Sequence, residues 1–198
     1  MSVFIKICGM TDSAHIAAAV AAGADAIGFV FHEASPRNIS IGQARELAAE
    51  VPEGVLTVAV MLHPEVEFAA EVVATLGADV LQTDIDDFDY IKVPDDMSRW
   101  PVLRENRLDV GAPVPAVFVY EGAASGAGLT VDWDKAATVA ARGRMILAGG
   151  LDVDNVAAAV SKVRPWGVDV SSAVEATRGI KDPEKIRQFI AAARNAAT

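Results

Sequence analysis

Short apolar runs alternate with longer alanine-rich stretches from one end of the chain to the other. The apolar runs predict strands near residues 3–8, 25–31, 55–62, 79–83, 99–104, 115–120, 144–148 and 166–171, many of them bounded by Gly, Pro or Asp. Between most of them, apolar positions fall at helical spacing in DSAHIAAAVAAG (12–23), SIGQARELAAEV (40–51), PEVEFAAEVVATLG (64–77), DWDKAATVAARG (132–143), DVDNVAAAVSKV (152–163) and DPEKIRQFIAAARNAA (182–197). Several of these begin at Ser or Asp and stop at Gly, which is the chemistry of helix caps. A weak internal echo, AAGADAIGF (21–29) against TLGADVLQT (75–83), ends a helix at glycine and enters a strand through Ala-Asp each time.

Eight strands alternating with helices predict a parallel (β/α)8 barrel, with an open doubly wound sheet as the alternative. Residues 83–115 fit least well, because they must hold two crossovers and ENRLDVGAP (105–113) is too short and too rich in Pro and Gly for a full helix. Strand 5 is therefore placed at RWPVLR with a degenerate crossover helix between strands 5 and 6, the alternative being a strand at DYIKV. The whole of residues 1–198 is expected to be one barrel domain.

Alternation along the first strand puts Phe4, Lys6 and Cys8 on one side and Ile5 and Ile7 on the other. The β-branched pair should face the helices, which turns Lys6 into the barrel. A lysine there is costly without a partner, and Asp169, on the strand that closes against the first, is the expected one.

Composition narrows the setting. With 52% hydrophobic residues the chain can bury a large core, and no apolar run reaches the roughly 18 residues of a membrane span. No secretory signal is evident, and a single cysteine suits a reducing compartment, so the cytoplasm is expected. A net charge of −10 without a basic stripe argues against nucleic acid or an anionic membrane as partner. A monomer is expected, with a homodimer as the alternative.

In a parallel barrel the chemistry lies at the carboxyl ends of the strands. Cys8 sits there, followed by Gly9 and the start of a helix. A lone cysteine is ordinarily a small buried hydrophobe. Its position beside a helix N-terminus, however, favours the thiolate, as nucleophile or base. His15, His32 and His63 stand in unrelated settings, so general base is the favoured role. After strands 7 and 8, Gly149 and Gly150 in ILAGGLDVDNV and Ser171 and Ser172 in VDVSSAVE offer N–H groups and hydroxyls where such barrels hold phosphate, so a phosphorylated small molecule is the expected substrate. Glu121 stands at the mouth of the Gly/Ala-rich stretch 119–133, a potential lid, and is a candidate general acid if burial raises its pKa. Arg37, in HEASPRNIS, is able to grip a carboxylate bidentately. A solvated loop glutamate and a surface arginine are the plain alternatives for these two.

The motifs KICGMT (6–11), GADAIGFVF (23–31), SPRNIS (35–40), AGGLDVDNV and VDVSSAVEATRGIKD (168–182) together resemble the phosphoribosylanthranilate isomerase family, in order and from end to end. The resemblance implies a (β/α)8 barrel of tryptophan biosynthesis. Its reaction is the Amadori rearrangement of N-(5'-phosphoribosyl)anthranilate to 1-(2-carboxyphenylamino)-1-deoxyribulose 5-phosphate, with no cofactor. It also implies Cys8 as the base that takes the C2' proton, Arg37 on the anthranilate carboxylate, and Gly149, Gly150, Ser171 and Ser172 in the phosphate loops. Four positions depart from the pattern. The family's acid, an aspartate after strand 6, is absent, and Glu121 is the nearest carboxyl group. The family's lysine is Leu129, its histidine after strand 4 is Asp84, and its closing glycine is Ala173. Two other readings stay open: an isomerase of a related phosphosugar aminoaldose, and a catalytically weakened phosphate-binding barrel.

Overall fold

A computed structural model describes residues 2–109, 111–123 and 130–197. In chain order the elements are β1 (Phe4–Cys8), α1 (Ser13–Ala22), β2 (Ala26–Phe31), α2 (Ile41–Ala48), β3 (Leu56–Met61), α3 (Val66–Leu76), β4 (Val80–Asp84), β5 (Ser98–Arg104) and β6 (Val117–Glu121). They continue with α4 (Trp133–Ala140), β7 (Arg144–Leu147), α5 (Val156–Val163), β8 (Gly167–Val170), a small antiparallel hairpin of β9 (Glu175–Thr177) and β10 (Ile180–Lys181), and α6 (Pro183–Ala196). Strands β1 to β8 form a closed parallel barrel, in which β8 returns to β1 with Lys6 opposite Asp169.

The strand predicted at RWPVLR is β5, and DYIKV forms no strand. The crossover from β5 to β6 carries no helix among its described residues, as expected, but the crossover from β4 to β5 is reduced as well, to a 3-10 turn at Ile85–Asp89. Closely spaced aspartates, which favour local side-chain bonds over helix, and then Pro94, which has no N–H to donate, account for it.

The internal echo is a repeated corner. Gly23 and Gly77 close α1 and α3 in the left-handed conformation, Ala24 and Ala78 are buried, and the next aspartate reaches back to the preceding strand. Asp25 accepts from the Ile5 N–H at 2.7 Å, and Asp79 accepts from the Thr57 N–H at 2.7 Å. Each carboxylate satisfies a strand-entry donor that the barrel ladder leaves open.

The core has two layers. Ile5, Ile7, Ile27, Phe29, Leu81, Phe118 and Leu147 face the helices. Ala26, Val58, Val80, Trp100, Val102, Val119 and Ile146 fill the barrel. At its amino end Phe4 stacks on Trp166 at 4.4 Å, with Trp100 edge-on to both, and this plug leaves only the carboxyl end open. Inward Lys6 is fully buried and donates to Asp169 Oδ1 at 2.9 Å, the pairing that strand alternation predicts.

Candidate active site

The carboxyl ends of the strands enclose a cavity of about 260 Å3 lined by Cys8, Arg37, Gln82, Glu121, Asp169, Ser171 and Arg178 among others. Cys8, Arg37, Glu121 and Ser171 are therefore brought together from four separate loops or strand ends. Gly149, Gly150 and Ser172 do not line it and sit on the neighbouring β7 and β8 loops. A wider cleft of about 930 Å3 adjoins it between the loops after β2 and β3, lined by Phe31, Ile39, Leu62 and Phe68 among others and sharing His32 and Ala34. That cleft lacks both Cys8 and Glu121, so the smaller cavity is the one that holds the thiol.

Two glycines make room here, one for Arg37 and one for Cys8. Gly9 turns the chain at φ +75°, and a Cβ there would lie 2.5 Å from Arg37 Cδ; on β2, a Cβ at Gly28 would lie 3.0 Å from Cys8 Sγ. The thiol is buried, and burial pushes its pKa up against the pull of Lys6. The depressed thiol expected from the helix N-terminus is thus not found: α1 begins only at Ser13, and Asp12 already accepts from the Ala14 N–H at its head. The charges that act on the sulphur are instead Lys6 and Lys181, which favour the thiolate, and Asp169, which opposes it. Burial disfavours the Lys6 charge, but Asp169 and the Cys8 sulphur outweigh that and raise its pKa. Asp169 is itself raised, because burial outweighs the ammonium beside it.

Arg37 is not a surface arginine. Its Nη2 donates to Glu175 Oε2 at 3.0 Å and its Nε to Glu175 Oε1 at 2.5 Å, so the planar fork that a substrate carboxylate would need already holds a protein carboxylate. Glu175 also accepts from Lys181 Nζ at 3.0 Å and from the Gly179 N–H at 2.9 Å. Burial pushes Glu175 up, but these three partners outweigh it and hold the carboxyl below its ordinary range. Lys181 also donates to the Ser171 carbonyl at 3.0 Å, and Ser171 Oγ donates to the Cys8 carbonyl at 3.0 Å. Arg178, in the β9–β10 turn, also lines the cavity and has no hydrogen bond or ion pair among the described residues.

On the opposite wall Glu121 accepts from Arg104 Nη1 at 3.0 Å. Arg104 is buried and gives its Nε and Nη2 to Asp84. His63 lies between two carboxyl groups, 3.5 Å from Asp84 and 2.8 Å from Asp87. The histidines are thus less scattered than expected: His15 is in α1, but His32 lines the cavity of Cys8 and His63 joins the Asp84 network, although no bond links either to the thiol. After β7, Gly149 (φ +89°) and Gly150 (φ +63°) are both left-handed, and neither N–H has an acceptor among the described residues. Leu129 and the middle of the glycine-rich lid stretch lie outside the described residues.

A barrel mouth built from a thiol, carboxyl groups and fixed cations is equipped to move protons on a small anionic molecule, which is the work of a (β/α)8 isomerase of acid–base type. Comparison with known proteins narrows the class. A family profile described as N-(5'phosphoribosyl)anthranilate (PRA) isomerase matches residues 5–192. The N-(5'-phosphoribosyl)anthranilate isomerase of Citrifermentans bemidjiense is 39% identical over 204 residues, covering 98% of each chain. Among solved structures, TrpF from Jonesia denitrificans is 37% identical, covers 99% of this chain and 98% of its own, and superposes with a TM-score of 0.83. A phosphoribosyl anthranilate isomerase in complex with reduced 1-(o-carboxyphenylamino)-1-deoxyribulose 5-phosphate is 32% identical, covers 98% and 99%, and has a TM-score of 0.81. The chain belongs to the N-(5'-phosphoribosyl)anthranilate isomerase family.

Proposed function

We propose that the cavity at Cys8 carries out the family's reaction, the Amadori rearrangement of N-(5'-phosphoribosyl)anthranilate to 1-(2-carboxyphenylamino)-1-deoxyribulose 5-phosphate in tryptophan biosynthesis. The observation that carries this is the placing of Cys8 and Glu121 on different walls of one cavity, next to a β7 loop whose two glycine amides have no acceptor among the described residues. A protonated carboxyl group gives its proton to the ribose ring oxygen as the C1'–O bond breaks, and the nitrogen lone pair forms the C1'=N iminium. The thiolate of Cys8 then takes the C2' proton, and the C2'–H electron pair closes onto C1' to leave an enolamine, which tautomerises to the ketone. C1' and C2' exchange oxidation level within one molecule, so proton transfers suffice and no cofactor is called for.

Glu121 is the acid in this reading. Asp84 accepts from Nε and Nη2 of Arg104 and Glu121 accepts from Nη1, and of these two carboxyl groups Glu121 is the one that lines the cavity of Cys8. Gly149, Gly150, Ser171 and Ser172 receive the phosphate. The aryl ring takes the apolar cleft lined by Phe31, Ile39, Leu62 and Phe68. For the carboxylate, a second reading stands beside Arg37: Arg178 reaches the same cavity with its guanidinium unpaired, whereas that of Arg37 is clamped by Glu175. Every group needed comes from one chain, so a monomer is catalytically complete, and a cytoplasmic setting keeps Cys8 reduced.

The test is turnover of phosphoribosylanthranilate by the wild type, Cys8→Ala and Glu121→Gln. Loss of about 100-fold or more in kcat for each variant, with folding retained, is expected. Wild-type turnover with an unaffected Cys8→Ala variant removes Cys8 as base, and a neutral Glu121→Gln variant moves the acid elsewhere. Tight product binding with no turnover leaves a phosphate-binding barrel.

A further inference from the structure

Gln82 lies on β4, is 5% exposed, and lines the same cavity as Cys8 and Glu121. Its Oε1 is buried without a hydrogen-bond partner, and no other described residue donates to or accepts from its side chain. Buried amides are ordinarily satisfied, because an unmet one carries the desolvation penalty of its polar atoms. Its neighbours on the barrel wall show how far this is from the local habit: Lys6, Asp84, Arg104 and Asp169 are all paired. Gln82 is thus an inward polar side chain with no partner among the described residues, and it opens onto the cavity that holds Cys8 and Glu121.

The chemistry of the reaction selects an amide for this place. The oxygen on C2' is a hydroxyl in the open-chain aminoaldose and a carbonyl in the product, so it changes from donor to acceptor as the C2' proton leaves. A carboxylate can only accept and an ammonium can only donate, whereas an amide does both without change of charge. We infer that Gln82 is a substrate-contacting residue of the isomerisation, whose Oε1 accepts from the C2' hydroxyl and whose Nε2 donates to the C2' carbonyl as it forms. The amide takes no proton from the sugar; the C2' proton goes to Cys8, and in the tautomerisation the hydroxyl proton is lost to water while C1' takes up a proton in its place.

The inference rests on the Cys8 cavity being the site of isomerisation, and Cys8→Ala measured in the same assay separates the two. Gln82→Leu is expected to lower kcat/KM about 10- to 100-fold, the size of one or two lost hydrogen bonds, and to weaken binding of reduced 1-(o-carboxyphenylamino)-1-deoxyribulose 5-phosphate about tenfold. Its melting temperature without ligand should equal or exceed that of the wild type, since an unsatisfied amide has been replaced by an apolar group. Gln82→Glu keeps an acceptor and loses the donor, so it should retain analogue binding better than Gln82→Leu while losing turnover. An inactive Cys8→Ala variant beside a Gln82→Leu variant within twofold of wild type overturns the role of Gln82 alone. A fall in melting temperature for both Gln82→Leu and Gln82→Met also overturns it, by showing the amide to be part of the folded framework; an active Cys8→Ala variant overturns the site itself.

Discussion

Replacing Lys6 with methionine isolates the buried pair that joins the first and last strands of the barrel. Lys6 is fully buried, Asp169 has 11% of its side chain exposed, and the two meet at 2.9 Å. Methionine fills most of the lysine volume with apolar atoms, so packing is nearly conserved and the change falls on the charge. Asp169 is then left without its counter-ion in a site whose burial already raises its pKa. The cheapest response is to take up a proton. With an unfolded-state pKa of about 3.9 and 1.36 kcal/mol per unit, holding that proton at pH 7 costs about 4 kcal/mol, and at pH 5 about 1.5 kcal/mol. The upper figure agrees with the roughly 3–5 kcal/mol found when one partner of a buried pair is removed. The sign follows: in the variant the folded state binds the proton more tightly than the unfolded state, so its deficit is small near the unfolded pKa and grows as pH rises. Urea unfolding of the wild type and Lys6→Met across this range measures the deficit, and Lys6→Met with Asp169→Leu should regain most of it. A deficit below about 1 kcal/mol that does not vary with pH, or a double variant no more stable than the single one, would refute the reasoning.

Two further outcomes follow from the same geometry. Wild-type kcat/KM should climb from neutral into alkaline pH, because burial holds Cys8 above its ordinary value and only the thiolate removes a proton; a flat profile over that range contradicts Cys8 as the titrating base. Asp25→Ala and Asp79→Ala should each cost about 1–3 kcal/mol by stranding a strand-entry N–H, and the two losses should add in chemical denaturation because the residues share no partner.

Strand alternation was enough to place Lys6 inside the barrel and to name Asp169 as its partner, because a period of two leaves only two faces and the closing strand follows from the fold. The repeated Gly-Ala-Asp corner was visible for a similar reason: everything it needs lies within three residues and one neighbouring strand. Arg37 was harder to read. Its site is decided by Glu175, 138 positions away along the chain, and nothing in SPRNIS shows that its fork is already filled. Arg104 and Gln82 went unremarked because a lone charged or amide residue in a short strand looks like ordinary surface until the strands are assembled. The thiol was misjudged in its electrostatics, since proximity in sequence to a helix start mattered less than burial and two ammonium groups brought in from β1 and β10.

The pairing of Lys6 with Asp169 has a meaning in time as well as in space. A ribosome makes the lysine near the beginning and its counter-charge 163 residues later, an interval of roughly 8 to 30 seconds at ordinary elongation rates. Throughout that interval β1 and β2 can form their ladder, but Lys6 cannot be enclosed without leaving an ammonium stranded in an apolar wall. The nascent barrel is thus kept from closing over Lys6 and the neighbouring thiol until the strand that carries Asp169 has been synthesised.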